Sequence, residues 1–274
     1  MKRIPVLLGT LLCLQSSHAQ LPPPLSPQHK GYAFDQPRVL VQQRLFGLAH
    51  GVTLLAGICN QDGAVTKGRE ALLLAYAQWD EEQSTFIDGL ERSLAGYYFG
   101  ERALEAKWPD IAVAIGLGQN LGLQRGSMEM MAACDSLPQT LQKPRYNLRQ
   151  LFQLQSLAAR IESARKTEAR AEACQEHLTG EARQTLIDGM QHWHDAYGAM
   201  IDEARTRLEL QWADSQIEGT LDNWLAQAQE KGKRAAKATS EFGSVAENDL
   251  SCAAMSAWLL TSQADPDDEF KPKP

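Results

Sequence analysis

Four cysteines beyond residue 19 divide the chain into two intervals of nearly equal length. The interval from Cys59 to Cys134 is only three positions shorter than the interval from Cys174 to Cys252. An even number of cysteines in an exported protein indicates two disulfides, and four cysteines permit three pairings. Composition alone does not choose among the three.

Tryptophans recur at matching places within the two intervals. Trp79 and Trp193 follow their opening cysteines at distances that differ by one position, and Trp108 and Trp224 follow those tryptophans at distances that differ by two. Because repeats change the domain count, we predict a first unit at residues 37–140 and a second unit at residues 146–262, related by tandem duplication. When the first tryptophans are aligned without gaps, these residues coincide: Leu72 with Leu186, Phe86 with Met200, Ile87 and Asp88 with Ile201 and Asp202, and Leu94 with Leu208. The identities are few, so a chance resemblance is the alternative.

Duplication would give each unit its own disulfide. The natural pairs are then Cys59–Cys134 and Cys174–Cys252, which close loops of similar length. In the chain-entropy model each such bond stabilises the fold by about 4 kcal/mol. That is a large share of the stability of a small domain.

The first nineteen residues have the three-part layout of a cleavable export signal. Lys2 and Arg3 precede an apolar stretch at residues 4–14, and Ser17-His18-Ala19 places small residues at both key positions of a cleavage site. The sequence therefore predicts cleavage after Ala19 and a periplasmic location. A lipid anchor on Cys13 is the alternative, but a lipobox needs a small residue where this chain has Leu12.

Length and charge limit the classes of partner. The apolar stretch of the signal is shorter than the about 20 residues of a spanning helix, and we expect no membrane span in the mature chain. Without residues 1–19 the chain carries 25 basic and 34 acidic residues, a net charge of −9. An acidic chain with interspersed charges is unsuited to nucleic acid, which needs a basic face. Anionic lipid is disfavoured for the same reason.

Apolar residues at helical spacing predict an all-α protein. The clearest stripe predicts a helix over 180–212, and only Gln83 breaks the matching stripe of the first unit. We expect a proline-rich linker at 20–36, a disordered tail at 263–274, and two tandem disulfide-clamped bundles of about four helices each. A mixed fold with an overlooked strand is the alternative. Shorter helices are predicted at 38–59, 109–123, 127–134, 146–177, 217–239 and 245–262.

Motifs for catalysis are not found in the sequence. It contains no nucleophile elbow, no phosphate-binding glycine loop and no paired zinc histidines, and oxidised cysteines are poor nucleophiles. Asp88 and Asp202 occupy equivalent places but lie opposite the apolar stripes, which favours a solvated face over an acid–base pair. We therefore assign no catalytic residue and no cofactor.

Two clusters are candidates for binding. Tyr97, Tyr98 and Phe99 form an aromatic run that suits a partner surface, together with Asp88 and Asp202, although core burial is the simpler interpretation of the aromatics. A second cluster, Met128, Met130 and Met131, has thioethers that suit Cu(I), although methionines more often fill core gaps.

The pattern as a whole favours a non-catalytic binding protein. We expect an exported helical module that recognises another extracytoplasmic protein through a helix face or through the groove between its units. Inhibitors, adaptors and toxin-immunity proteins have this form. The alternatives are a periplasmic small-ligand or copper-binding protein, and an enzyme whose site assembles from distant residues.

Overall fold

The structure is a computed structural model that describes residues 25–61, 68–124, 126–242, 252–261 and 264–266. The predicted export signal at 1–19 lies outside the described residues. The first part of the predicted linker, at 20–24, and most of the predicted tail, at 263 and 267–274, also lie outside them.

The described chain is helical and contains no strand within those ranges, so the all-α prediction is confirmed. Short 3₁₀ segments occur between some of the helices. Eight helices are described: α1 (Pro37–Cys59), α2 (Arg69–Phe99), α3 (Trp108–Ile115), α4 (Met128–Leu141), α5 (Leu148–His177), α6 (Gly180–Leu210), α7 (Leu221–Phe242) and α8 (Cys252–Leu259).

The ends of α3 and α4 differ most from the prediction, and α7 begins at Leu221 instead of residue 217. Helix α3 stops at Ile115 because Gly116 has a φ of 90°, a left-handed conformation that ends helices. Helix α4 continues past Cys134 to Leu141 and contains Pro138. Ser127 caps α4 by accepting a hydrogen bond from the Met130 amide at 3.1 Å, so the chain begins this helix where the sequence predicts.

Helices α1, α2 and α4 of the first unit pack around one apolar core, to which the start of α5 adds Leu148 and Leu151. A disulfide between Cys59 and Cys134 joins the end of α1 to the middle of α4. Both sulfur-bearing residues are buried in this core. Its other members include Val52, Ala56, Leu72, Trp79, Leu137 and Leu141.

The second unit places α5, α6 and α8 around a core of similar make-up. A disulfide between Cys174 and Cys252 joins the last turn of α5 to the start of α8. Two disulfides favour an oxidising, extracytoplasmic environment. Other core members are Ala164, Ala171, Leu186, Trp193, Met255 and Leu259.

In each unit, the first tryptophan donates a hydrogen bond to the chain segment that follows the last helix around the core. Trp79 Nε1 donates to the Tyr146 carbonyl at 2.8 Å, and Trp193 Nε1 donates to the Ala264 carbonyl at 2.7 Å. Each carbonyl belongs to the twelfth residue after the second cysteine of its disulfide. Both tryptophans are buried, as their stripes predict.

The additional helix of each unit packs differently. Helix α7 packs along α5, and a Cβ atom on Gly232 would come within 2.6 Å of the Lys166 carbonyl oxygen. The short α3 instead places Trp108 over Phe46, with ring centroids 4.0 Å apart, and against His50. Trp108 Nε1 donates to His50 Nδ1 at 2.9 Å. Helices α1 and α5 contact each other and join the units.

Residues 25–36 lie against the first unit. Tyr98 and Gln43 form a buried polar network with this segment: the Tyr98 hydroxyl donates to the Gly31 carbonyl at 2.6 Å, and Gln43 Oε1 accepts from the Ala33 amide at 2.9 Å. The Gln28 amide also donates to the Tyr98 carbonyl at 2.7 Å. The part of the predicted linker that is described therefore contributes to the surface of the folded unit.

Helix α1 meets the length and composition of a membrane-crossing helix, which the sequence interpretation did not expect of any mature segment. Its most apolar 18-residue window has a mean hydropathy of 1.2, and half of that window is buried inside the fold. Leu45, Phe46 and Ala49 are each at most 1% exposed because they face the cores of the first unit. Core burial therefore accounts for the buried half of this apolar window.

Candidate functional site

A groove of about 800 Å³ lies where the first unit meets the second. Its walls are the start of α1, the middle of α5, and the loop that leads into α7 together with α7 itself. Phe34 adds a side chain from the segment that precedes α1. Ligand sites occur preferentially in such clefts between packed helices and between domains.

The floor of the groove is apolar. The Trp224 ring lies 5.7 Å from the Trp212 ring, centroid to centroid. At the mouth, the Phe34 side chain is 76% exposed. An exposed aromatic ring beside an apolar floor is typical of a surface that binds a partner. The floor residues are Leu40, Val41, Ala158, Ala159, Ile217 and Trp224.

Three charged side chains of the groove form a network of ion pairs that links α5 to α7. Glu162 Oε1 lies 2.8 Å from Lys166 Nζ and 3.1 Å from Lys231 Nζ. Burial acts to raise the pKa of the Glu162 carboxyl, but the two ammonium groups outweigh burial and hold that pKa below its ordinary value. Glu162 is therefore ionised at neutral pH, and two cations share its charge.

The groove is locally positive. Arg44, which makes no ion pair within the described part of the chain, adds a third cation to Lys166 and Lys231. Glu218 adds a second carboxylate to Glu162. The lining therefore carries one net positive charge in a chain whose formal net charge is −7. This contrast favours an acidic ligand over a basic one.

A buried amide lies at the opposite end of the groove from Lys166. Gln155 is only 7% exposed, and its Nε2 donates to the Ser215 carbonyl at 3.4 Å. Its Oε1 has no hydrogen-bond partner among the described residues. An unpaired buried polar atom costs about 1–3 kcal/mol, so a residue that lines the groove carries an unsatisfied acceptor.

The loop before α7 forms a fixed wall. Trp212 Nε1 donates to the Gly219 carbonyl at 2.9 Å, and the Ser215 hydroxyl donates to the Trp212 carbonyl at 2.6 Å. Between these bonds Gln216 adopts a φ of 61°, a conformation that costs free energy for a residue with a side chain. Strained residues of this kind cluster at functional sites, and Gln216 lines the groove.

A smaller depression of about 330 Å³ lies elsewhere on the second unit, where α5, α6 and α7 meet. Met190 and His194 line one side, and Glu168 and Glu172 line the other. Within the described residues, no three His, Cys, Asp or Glu side chains are close enough to hold a metal ion.

The predicted partner-surface residues are not brought together. Tyr98 and Phe99 are buried in the first unit, which leaves only Tyr97 partly exposed. The Tyr97 ring stacks on His29 with centroids 4.4 Å apart. Asp88 and Asp202 are on α2 and α6, and neither lines the groove.

The predicted methionine cluster is divided by burial. Met130 is fully buried in the core of the first unit, whereas Met128 is 78% exposed. Met131 is intermediate. Only Met128 and Met131 are therefore open to solvent.

Sequence reasoning did not find the residues that build the groove. Phe34 lies in the segment predicted to be a linker, and Trp224 entered the prediction only through its spacing. Gln155 did carry a signal, because it falls four residues after the buried Leu151 on the apolar face of α5. A polar residue on such a face needs a partner.

The chain matches no known protein family, no characterised protein and no solved structure.

Proposed function

We propose that the mature chain is an exported, non-catalytic helical protein that binds another extracytoplasmic protein through the groove between its units. The observation that carries this proposal is an apolar floor, bordered by charged side chains, beside the 76% exposed ring of Phe34. Protein interfaces combine an apolar centre with a polar rim in the same way. An inhibitor, an adaptor or a toxin-immunity protein would belong to this class.

Two matched variants test the proposal. Phe34→Asp places a charge at the mouth of the groove, and Leu104→Asp places the same charge at a fully exposed leucine outside it. Biotinylated wild-type protein and both variants are incubated with an extracytoplasmic extract, and captured proteins are identified by mass spectrometry. We expect a partner that the wild type and Leu104→Asp retain and Phe34→Asp loses. Equal capture by all three proteins would contradict use of the groove.

The same proposal includes duplication of one ancestral unit. Buried residues of the two units support this. When α2 is aligned with α6 without gaps, the buried Leu72 falls on the buried Leu186, and the buried Leu94 falls on the buried Leu208. In α4 and α8, buried apolar residues follow the cysteine by three and seven positions, namely Leu137 and Leu141 in α4 and Met255 and Leu259 in α8. Peptide mapping without reduction should recover one bond within each unit; a bond between units would contradict the duplication.

The proposal also includes export to the periplasm with cleavage after Ala19. Two within-chain disulfides support export, because they persist in oxidising compartments. Amino-terminal sequencing of protein recovered from a periplasmic fraction should begin at Gln20. Recovery from the cytoplasm with an intact amino terminus would contradict this location.

A further inference from the structure

We propose that the groove binds an extended segment of the partner protein, about five residues long, that carries an apolar side chain and an acidic side chain. The segment would give a backbone N–H to Gln155, place its apolar side chain against Trp224, and place its carboxylate between Lys166 and Lys231. This inference rests on the function proposed above and specifies the chemistry of the partner.

The length follows from α5. Groove-lining residues on this helix run from Gln155 to Lys166, eleven positions apart. At about 1.5 Å per residue they span about 16 Å. An extended chain rises about 3.3 Å per residue, so about five residues cover that distance.

The Gln155 end of the groove needs a donor. Gln155 Nε2 already donates to the Ser215 carbonyl, whereas Oε1 is buried and unpaired among the described residues. A backbone N–H supplies a donor in any extended segment, whatever its sequence.

The Lys166 end of the groove needs an acceptor. The side chains of Lys166 and Lys231 are 44% and 53% exposed, and each ammonium group has three donors. Glu162 accepts from both, which leaves further donors on each partly exposed ammonium group. A partner carboxylate would complete this set, and Arg44 on the rim would add to the attraction.

The middle of the groove is shaped for an apolar side chain. Ala158 and Ala159 line the groove together with Leu40 on α1 and Trp224 on α7, and the small alanine side chains occupy little of its volume. The ring of Trp224 supplies a large contact area, as aromatic residues commonly do at interface centres.

Synthetic peptides test this chemistry on the full mature chain. The probes are fluorescein-labelled, blocked pentapeptides with Leu-Phe at the centre and Glu at one end, made in both sequence orders. In one control peptide Lys replaces Glu, and in another Ala-Ala replaces Leu-Phe. Fluorescence anisotropy should give at least tenfold tighter binding of one acidic peptide than of either control. Equal binding of the acidic and basic peptides would overturn the inference.

Variants of the protein locate the binding. Lys231→Glu should weaken the acidic peptide by tenfold or more, whereas Lys143→Glu, an exposed lysine outside the groove, should leave its affinity unchanged. Gln155→Met keeps a similar volume without the amide, and we expect on the order of fivefold weaker binding. Thermal unfolding of each variant checks that it is folded. Affinity unchanged by Lys231→Glu would overturn the inference.

Three further outcomes would also overturn it. Binding of N-acetylglutamate as tight as that of the pentapeptide would assign the groove to a small ligand. Binding that appears only after removal of residues 267–274 would assign the groove to the chain's own acidic segment. Capture of a partner that depends on Phe34, without binding of any peptide, would indicate recognition of a folded surface and would leave the proposed function standing.

Discussion

The two units share a clamped three-helix frame and differ in the helix that each adds to it. In each, a disulfide ties the first helix to the last, and a buried tryptophan donates to a carbonyl at the same distance beyond the second cysteine. The first unit continues from its second helix into the eight-residue α3, whereas the second unit continues into the 22-residue α7. Both added helices pack on apolar clusters, but only α7 supplies residues to the groove.

The groove arises from that difference. Ile217, Glu218, Trp224 and Lys231 all belong to α7 or to the loop before it. Helix α7 lies close enough to α5 that its Lys231 reaches Glu162. The short α3 ends at Gly116 and supplies no residue to the groove. The groove therefore lies where the second unit differs from the first.

Removal of either disulfide should have the largest effect on the shared frame. Paired Cys→Ser substitutions at Cys59 and Cys134, or at Cys174 and Cys252, release loops of 75 and 78 residues. We expect losses of about 4 kcal/mol in the free energy of unfolding, nearly equal for the two bonds. Urea unfolding followed by circular dichroism measures both. Strongly unequal losses would show that the two clamps stabilise their frames differently.

A methyl group at Gly232 should disturb the feature that distinguishes the second unit. Its Cβ would meet the Lys166 carbonyl oxygen at 2.6 Å and the Ala169 Cβ at 2.9 Å, so α5 and α7 must separate. We expect Gly232→Ala to lower the free energy of unfolding by about 2 to 3 kcal/mol. Gly198→Ala is the control, because nothing lies near that position and alanine favours helix by about 1 kcal/mol. A neutral Gly232→Ala would contradict a close contact between α5 and α7 at this position.

The paired tryptophans test whether the two frames use the same anchor. Trp79→Phe and Trp193→Phe each remove one indole donor and leave a small cavity, which should cost about 2 kcal/mol in either unit. Trp212→Phe is the control, since its hydrogen bond to Gly219 is exposed and should cost less. Chemical denaturation compares all three. A cost confined to one unit would contradict equivalent anchors.

Alkaline pH should distinguish the first unit from the second. Near neutral pH, this effect on stability is the smallest of those expected here. Burial raises the pKa of Tyr98 to about 12, although the hydrogen bond from Gln43 acts in the opposite direction. The folded state therefore favours the neutral phenol, so its contribution to stability is present below about pH 10 and is lost as the pH rises toward 12. The corresponding position in the second unit is Trp212, which does not titrate.

Phenolate absorbance and the free energy of unfolding, measured together across this pH range, show how much stability is lost when Tyr98 ionises. Tyr98→Phe should remove that part of the alkaline loss of stability. An unchanged alkaline profile in Tyr98→Phe would contradict the assignment.

The sequence was sufficient to predict most helices and both disulfides of the shared frame, because the patterns that indicate them are local or periodic. Apolar spacing predicted α6 to within two residues at its end, and the cysteine intervals predicted both bonded pairs. The end of α3 was missed because the apolar pattern continues past Gly116, whose backbone conformation stops the helix. Helix α4 was predicted too short because its later apolar residues follow a weak pattern around Pro138.

The groove could not be predicted because it joins residues far apart in the chain. Phe34, Gln155 and Trp224 belong to different elements, and only the packing of α1 and α7 on α5 brings them together. The aromatic run at 97–99 was prominent in sequence, yet Tyr98 is buried because its hydroxyl ties down residues 25–36. An aromatic cluster therefore served internal packing, whereas an isolated tryptophan became part of the surface.

Both covalent cross-links stay within their own unit. A single proteolytic cut in the connection at 142–147 would therefore yield two polypeptides with no bond between them, each still cyclised by its own disulfide. A cut between Cys59 and Cys134 would instead leave one covalent molecule that separates only on reduction. The chain is thus topologically two rings in series. The contacts of α1 and α2 with α5 would keep the rings together after the connection is severed.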